Sequence, residues 1–403
     1  MKLKRLAYWL LLATIWSLPI EEQVTLPVIG TISKILGLAA FVAWGIAGLV
    51  RGTMREPSAF HKAMFGLAVW VGLSLFWSAD PTASGGRFIT YLQLLFLTLM
   101  IWDLCVTDRQ IRAAMQALVL GLWVNAANGY LNFARGIEAE FGRFSSTGSD
   151  ANEAALLLAI GIPFALYLAL DSPKSVLRTI NFAYVPVGAV AIALSGSRTA
   201  LVAGVAVVVY AVLATRRIHR FGIVVLVVLV GVSLWAITTV VPSEVIDRSL
   251  QVGTNVSEGD FGERAIIWGE AREAFESRPL AGVGAGATRA VLPTGKVAHN
   301  VVITIGVELG LVGLLLFFTI GTNLVLAVIG MRPGERQMWI AVLCTWTIGS
   351  LTLAIDTRKY TWLLFALVVA AAASRPWDTE RDQPFVPFVS RWTHRVAHGV
   401  AQM

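Results

Sequence analysis

Charge is scarce in this chain: 14% of its residues are Asp, Glu, Lys or Arg, where soluble domains carry about 25%. That excludes an ordinary water-soluble domain. Cysteine is nearly absent, with Cys105 and Cys344 alone. Both fall in or beside apolar runs, and they give neither a disulfide framework nor a metal site. No internal repeat of the inverted kind seen in many transporters is visible. Gly282-x-Gly284-x-Gly286 follows no strand and lacks the spacing of a nucleotide loop. Glu258-x-Asp260 has metal-ligand spacing, but two carboxylates in a flexible loop without a nearby histidine read as solvated charge. The sequence predicts no metal, no cofactor and no nucleic-acid partner.

What remains is apolar. Hydrophobic residues make up 56% and the mean hydropathy is +0.71. Runs near 20 residues recur, long enough to cross about 30 Å of hydrocarbon. In that solvent only helices and closed barrels satisfy their backbones, and these runs lack a barrel's alternation. The expected fold is an all-α polytopic membrane protein of about twelve transmembrane helices, packed closely at some of its 36 glycines. The spans are expected near 6–20, 28–50, 63–77, 88–104, 113–133, 154–170, 180–195, 199–214, 221–241, 301–329, 337–354 and 360–374. Lys2, Lys4 and Arg5 precede the first run in the manner of a signal peptide. No small-x-small cleavage site follows, so the run reads as a retained span.

An even number of spans puts both termini on one side. Outside one long loop, Lys and Arg concentrate on that side, which makes it cytoplasmic and residues 242–300 external. Residues 1–374 are expected to form the membrane domain. The tail, 375–403, reads equally as a segment on the anionic inner leaflet and as a disordered end. Membrane lipids are the expected surroundings.

The 242–300 loop is too long to be kept without a use. From Gly262 to Ser277 its apolar residues recur at helical spacing, Pro279 stops the helix, and a glycine-rich loop follows. His299 is the one histidine on the outer side beside a helix start. As the cap of the tenth span it would sit at the positive end of the helix dipole, which favours the neutral ring a general base requires. A histidine that merely caps a helix has the same sequence. Arg87, Arg143, Arg198, Arg264 and Arg289 also fall on the outer side. Singly, each reads as a side chain snorkelling to the interface. As a set they point to a lipid phosphate or diphosphate, which a guanidinium grips with two parallel bonds.

Arg264-x-x-x-Trp268, Pro279-Leu280-x-Gly282-x-Gly284, His299-Asn300 and Glu308-x-Gly310-x-x-Gly313 stand in order, with Asp150-x-Asn152-Glu153 and Gly196-Ser197-Arg198 upstream. This ordered set resembles the bacterial O-antigen ligase and polymerase superfamily. The resemblance implies a glycosyltransferase C-like bundle of the inner (cytoplasmic) membrane, with its site under one large periplasmic loop. It implies metal-independent, inverting transfer of a glycan from undecaprenyl diphosphate to a sugar hydroxyl of lipid A–core. His299 would be the base. Arg264 and Arg198, with Arg143, Arg87 or Arg289, would hold the diphosphate, and Asn300, Trp268, Asn152 and Glu153 would support the site. Polymerases and protein O-oligosaccharyltransferases of the same superfamily differ in acceptor, and Arg248–Gly259 has a spacing seen in some polymerases. A lipid-linked glycan flippase or exporter would also gather outward arginines. It should show charge deep in several spans, whereas here Glu308 lies inside a span, about 13 Å beyond His299 at helical rise.

Overall fold

The computed structural model describes residues 2–26, 30–139, 142–171, 176–215, 220–243, 245–246 and 260–374. The tail 375–403, Glu258 and the Arg248–Gly259 stretch lie outside them. The chain is an all-α polytopic membrane protein. Its helices are α1 (Lys2–Ser17), α2 (Ile32–Arg51), α3 (Ala59–Leu73), α4 (Pro81–Leu104), α5 (Asp108–Ala134), α6 (Ala151–Asp171) and α7 (Val176–Leu194). They continue with α8 (Arg198–Thr215), α9 (Arg220–Val240), α10 (Asp260–Ser277), α11 (Thr288–Val291), α12 (Val301–Ile329), α13 (Pro333–Ser350) and α14 (Lys359–Ala372). A two-residue hairpin pairs Thr25–Leu26 with Gly30–Thr31 before α2.

Each of the twelve expected segments falls on a helix. Six helical stretches are long and apolar enough to cross a membrane: Ile32–Arg51, Ala59–Phe76, Pro81–Leu104, Ala151–Asp171, Val176–Leu194 and Val301–Ile329. Arg198–Val212, Val227–Val240 and Lys359–Ala372 are shorter apolar helices. Successive helices bring their ends together on two faces. At one face Asp103, near the end of α4, meets Lys4 of α1 and Arg51 of α2. At the other, the end of α13 meets the start of α12, where Asn300 Nδ2 donates to Leu351 O at 3.1 Å.

Between the faces the core is helix on helix. Trp339, Trp362, Tyr91 and Tyr184 are fully buried in it. Lipid tails are as apolar as leucine, so association here rests on close packing rather than on water exclusion. A second, separate core lies at the second face. Ile267 and Ala271 of α10 pack there with Val283, Ala287, Leu292, Ala298 and Val307. This cluster fixes the loop helix against the bundle, and each fully buried large aliphatic contributes about 1.5–3 kcal/mol.

Two boundaries differ from expectation in ways that matter for the site. The fourth span was expected to start at 88, but α4 starts at Pro81. Asp80 caps it by accepting from Ala83 N, and proline takes the first helical position. Arg87 therefore lies in a helix rather than in a loop. The tenth span is also not one helix: α12 breaks at Gly310, whose φ is 66° and ψ −162°.

Candidate functional site

The break in α12 and the glycine loop after α10 form one interlocked unit. Val283 N donates to Val307 O and Gly284 N to Glu308 O, both at 2.9 Å, and Leu311 N donates back to Pro279 O at 2.8 Å. Trp70 Nε1 reaches Leu309 O at 2.9 Å and Trp77 Nε1 reaches Ala281 O at 3.2 Å. Backbone groups freed by the break thus find partners inside the protein, as a membrane interior demands. The glycine spacing follows from this contact. A Cβ at Gly282 would run into the backbone of Glu308 and Leu309, and one at Gly310 into Leu280 O and Ala281 N. Both residues also have left-handed φ. Pro279-x-x-Gly282 and Glu308-x-Gly310 are two halves of one backbone-to-backbone joint.

His299 precedes the helix start that leads to that joint, and its role as helix cap is corrected by the structure. Asn300 is the cap of α12: its Oδ1 accepts from Val302 N at 3.0 Å and Ile303 N at 3.1 Å. Asparagine suits that place because its short side chain reaches the first free amides. His299 comes one residue earlier. It is exposed between buried Ala298 and Asn300, and it is the one non-glycine with positive φ among the described residues, at 48°. Such backbone persists when its surroundings impose it. They do so here from both sides. Trp268 Nε1 donates to Ala298 O at 2.9 Å, while Asn300 is held by the helix start and by Leu351 O. Arg264 stands four residues before Trp268, on the same face of α10 and half-buried. The Arg264-x-x-x-Trp268 motif therefore places Arg264 one helical turn from the tryptophan that binds the residue preceding the histidine.

A second group of site residues gathers at the tight α7–α8 turn. Arg143 Nε donates to Ser195 O, and its NH2 to Asn152 Oδ1, both at 2.7 Å. Ser197 Oγ accepts from Ala200 N at 3.3 Å and so caps α8, whose first residue is the half-buried Arg198. Thr199 then meets Thr352 at 2.9 Å between hydroxyl oxygens. The neighbouring Leu351 holds Asn300, so the Leu351–Arg358 connection links the Arg143–Arg198 group to the His299 group. Glu153 is turned to that connection as well, where its Oε2 lies 2.6 Å from Arg358 NH2. Asp150 accepts from Asn152 N and Glu153 N at 2.9 Å each.

The remaining two arginines are placed differently. Arg87 lies beneath the joint, 3.6 Å from Glu308 Oε1 and 4.0 Å from Asp356 Oδ2, and it donates to Thr357 Oγ1 at 3.0 Å. Glu308 also accepts from Thr288 Oγ1 at 2.8 Å, and Asp356 from Tyr91 OH at 3.2 Å. Both carboxylates are buried. Arg289 is exposed as the second residue of the four-residue α11. Sequence reasoning missed Asp356, Thr357 and Arg358. Their signal was a polar run, Asp356 to Lys359, set directly between two apolar spans.

Among the described residues no group of three or more His, Cys, Asp or Glu is arranged to hold a metal ion. Chemically, the arrangement offers an exposed imidazole held in a fixed backbone beside guanidinium-bearing turns. It can take a proton from a hydroxyl and hold an anion. Residues 183–318, about a third of the chain, match the family model described as O-antigen ligase. The match spans Arg198, Arg264, the glycine joint and His299, and leaves out Arg87, Arg143, Asn152 and Glu153. No curated protein matches the chain.

Proposed function

The O-antigen ligase match over residues 183–318 supports membership of the O-antigen ligase and polymerase superfamily, and from that premise we propose that the chain is an inverting O-antigen ligase. It moves a glycan from undecaprenyl diphosphate to a sugar hydroxyl of lipid A–core at the periplasmic face of the inner membrane. The observation that carries the reading is His299: exposed, backbone-constrained, and joined through Ala298 and Trp268 to the helix bearing Arg264. The acceptor hydroxyl oxygen attacks the anomeric carbon while its proton passes to the His299 ring. The bond from that carbon to the diphosphate oxygen breaks in the same step. Arg264, Arg198 and Arg143 neutralise the departing lipid diphosphate, the charge-stabilising role fixed donors fill in other group transfers. Arg87 is better used as a brace, because its guanidinium already balances Glu308 and Asp356. Arg289, exposed on α11, is left at the margin of the site.

Polymerase and protein O-oligosaccharyltransferase chemistry would use the same residues with another acceptor. An exporter is disfavoured by a specific feature. Broken helices in transporters expose backbone to a substrate or ion, whereas here the break is filled by the Pro279–Gly284 backbone. The reading is tested with purified protein, undecaprenyl-diphosphate glycan and lipid A–core. Wild type should form the conjugate, and His299→Ala should form none while eluting and melting like wild type. Conjugate formed by His299→Ala at near wild-type rate would remove the base assignment. Failure of wild type with lipid A–core but success with a second glycan chain would reassign it as a polymerase.

A further inference from the structure

Away from His299, at the opposite end of the bundle, the start of α5, the end of α6 and the start of α13 enclose a cavity of about 200 Å³. Asp108, Arg112, Tyr167, Asp171, Arg332 and Glu335 line it. A liquid water occupies about 30 Å³, so the space suits a small polar group. Inside it Arg112 is spoken for: it pairs with Asp171 and donates to Tyr167 OH at 3.1 Å. Asp108 Oδ1 accepts from Ser374 Oγ, so its other oxygen, with Glu335 and Arg332, sets the character of the cavity: two carboxylates against one guanidinium. Such a site attracts a cationic group and repels a purely anionic one. Ile111 and Met115, one turn apart on α5, complete the wall on the side that runs down into the span.

We propose that this cavity seats the phosphoethanolamine headgroup of a membrane phospholipid, its ammonium between Asp108 and Glu335 and its phosphate toward Arg332. The helix ends put the cavity at headgroup depth, where a lipid is the ligand always present. A primary ammonium carries three donors for two carboxylates, which a choline group lacks. The Ile111–Met115 wall meets the start of an acyl chain.

The test is protein in nanodiscs of equal phosphatidylethanolamine and phosphatidylglycerol, with retained lipid counted by native mass spectrometry after partial delipidation. Wild type should retain the ethanolamine lipid about fivefold over the glycerol lipid, the scale of one half-exposed ion pair. Asp108→Asn with Glu335→Gln should bring the ratio to parity. Arg332→Gln, at an exposed position, should weaken retention without changing the melting temperature. Equal retention by wild type, a preference that survives the double substitution, or equal retention of phosphatidylcholine would each overturn the proposal. A melting shift produced by free phosphoethanolamine in discs of phosphatidylglycerol, without any lipid preference, would overturn the lipid in favour of a soluble ligand.

Discussion

Two arginine-bearing regions meet at this site, and they use charge differently. Beneath the glycine joint, Arg87 is shared by two carboxylates that are nearly buried, the side chains of Glu308 at 6% and Asp356 at 4% exposed, while its own is 25% exposed. The arginines of the second region are half-buried as well, but Arg143 donates to neutral groups. Arg143 is aimed by a backbone carbonyl and an amide, and Arg264 and Arg198 lie half-buried on helix faces and ends. The lesson is that guanidinium count alone does not locate an anion site. A guanidinium balanced by buried carboxylates holds helices together, and the proposed function gives the lipid diphosphate to Arg143, Arg198 and Arg264.

That contrast predicts opposite phenotypes. The largest effect on folding is expected from Arg87→Met, which leaves Glu308 and Asp356 facing each other without a cation. Removing one partner of a buried ionic group costs about 3–5 kcal/mol, so the variant should melt far below wild type in detergent. A melting curve that does not move would place Arg87 among the substrate-facing arginines. Next come Arg198→Lys and Arg264→Lys. Lysine keeps the charge and loses the two-pronged grip, and a lost donor to a developing anion costs about 10²–10³ in rate. Both should melt normally and transfer slowly, and near wild-type turnover by both would make them interface anchors. Smallest is Asn300→Ala, which removes the cap of α12 and should lower stability by about 0.5–2 kcal/mol. Asn300→Asp, which keeps the accepting oxygen, should restore most of it, and no difference between the two would show that capping is not what Asn300 supplies.

The parts that could be read from sequence were those governed by local pattern. Apolar runs located twelve of the fourteen described helices, and Pro279 marked the end of α10 at Ser277. The ordered motifs from Gly196 to Gly313 fall within residues 183–318, the stretch that matches the family model. Other features were local yet misjudged. Asp80 and Pro81 spell a helix start, but the apolar run begins later, so Arg87 read as a loop residue. Asn300 is the better cap by chemistry, yet the histidine beside it drew the assignment. The rest was tertiary and had no local signature. That Gly282 and Gly310 exist for each other depends on α10 folding back over α12. The Leu351–Arg358 connection joins Asn300, Thr199, Glu153 and Arg87, which are far apart in the chain. The sidedness of the bundle is tested separately by Thr294→Cys in a Cys344→Ser background. Thr294 is exposed in the long loop, and labelling by an impermeant maleimide in intact spheroplasts is expected, whereas labelling only after lysis would reverse the topology.

The central claim is a single displacement in which arginines do what a metal does in other lipid-diphosphate transferases. It is tested most directly by the anomeric configuration of the conjugate made by purified protein in excess EDTA, read by NMR. The account predicts full activity and a linkage inverted relative to the donor. A retained linkage, or activity that vanishes with EDTA and returns with magnesium or manganese, would contradict it.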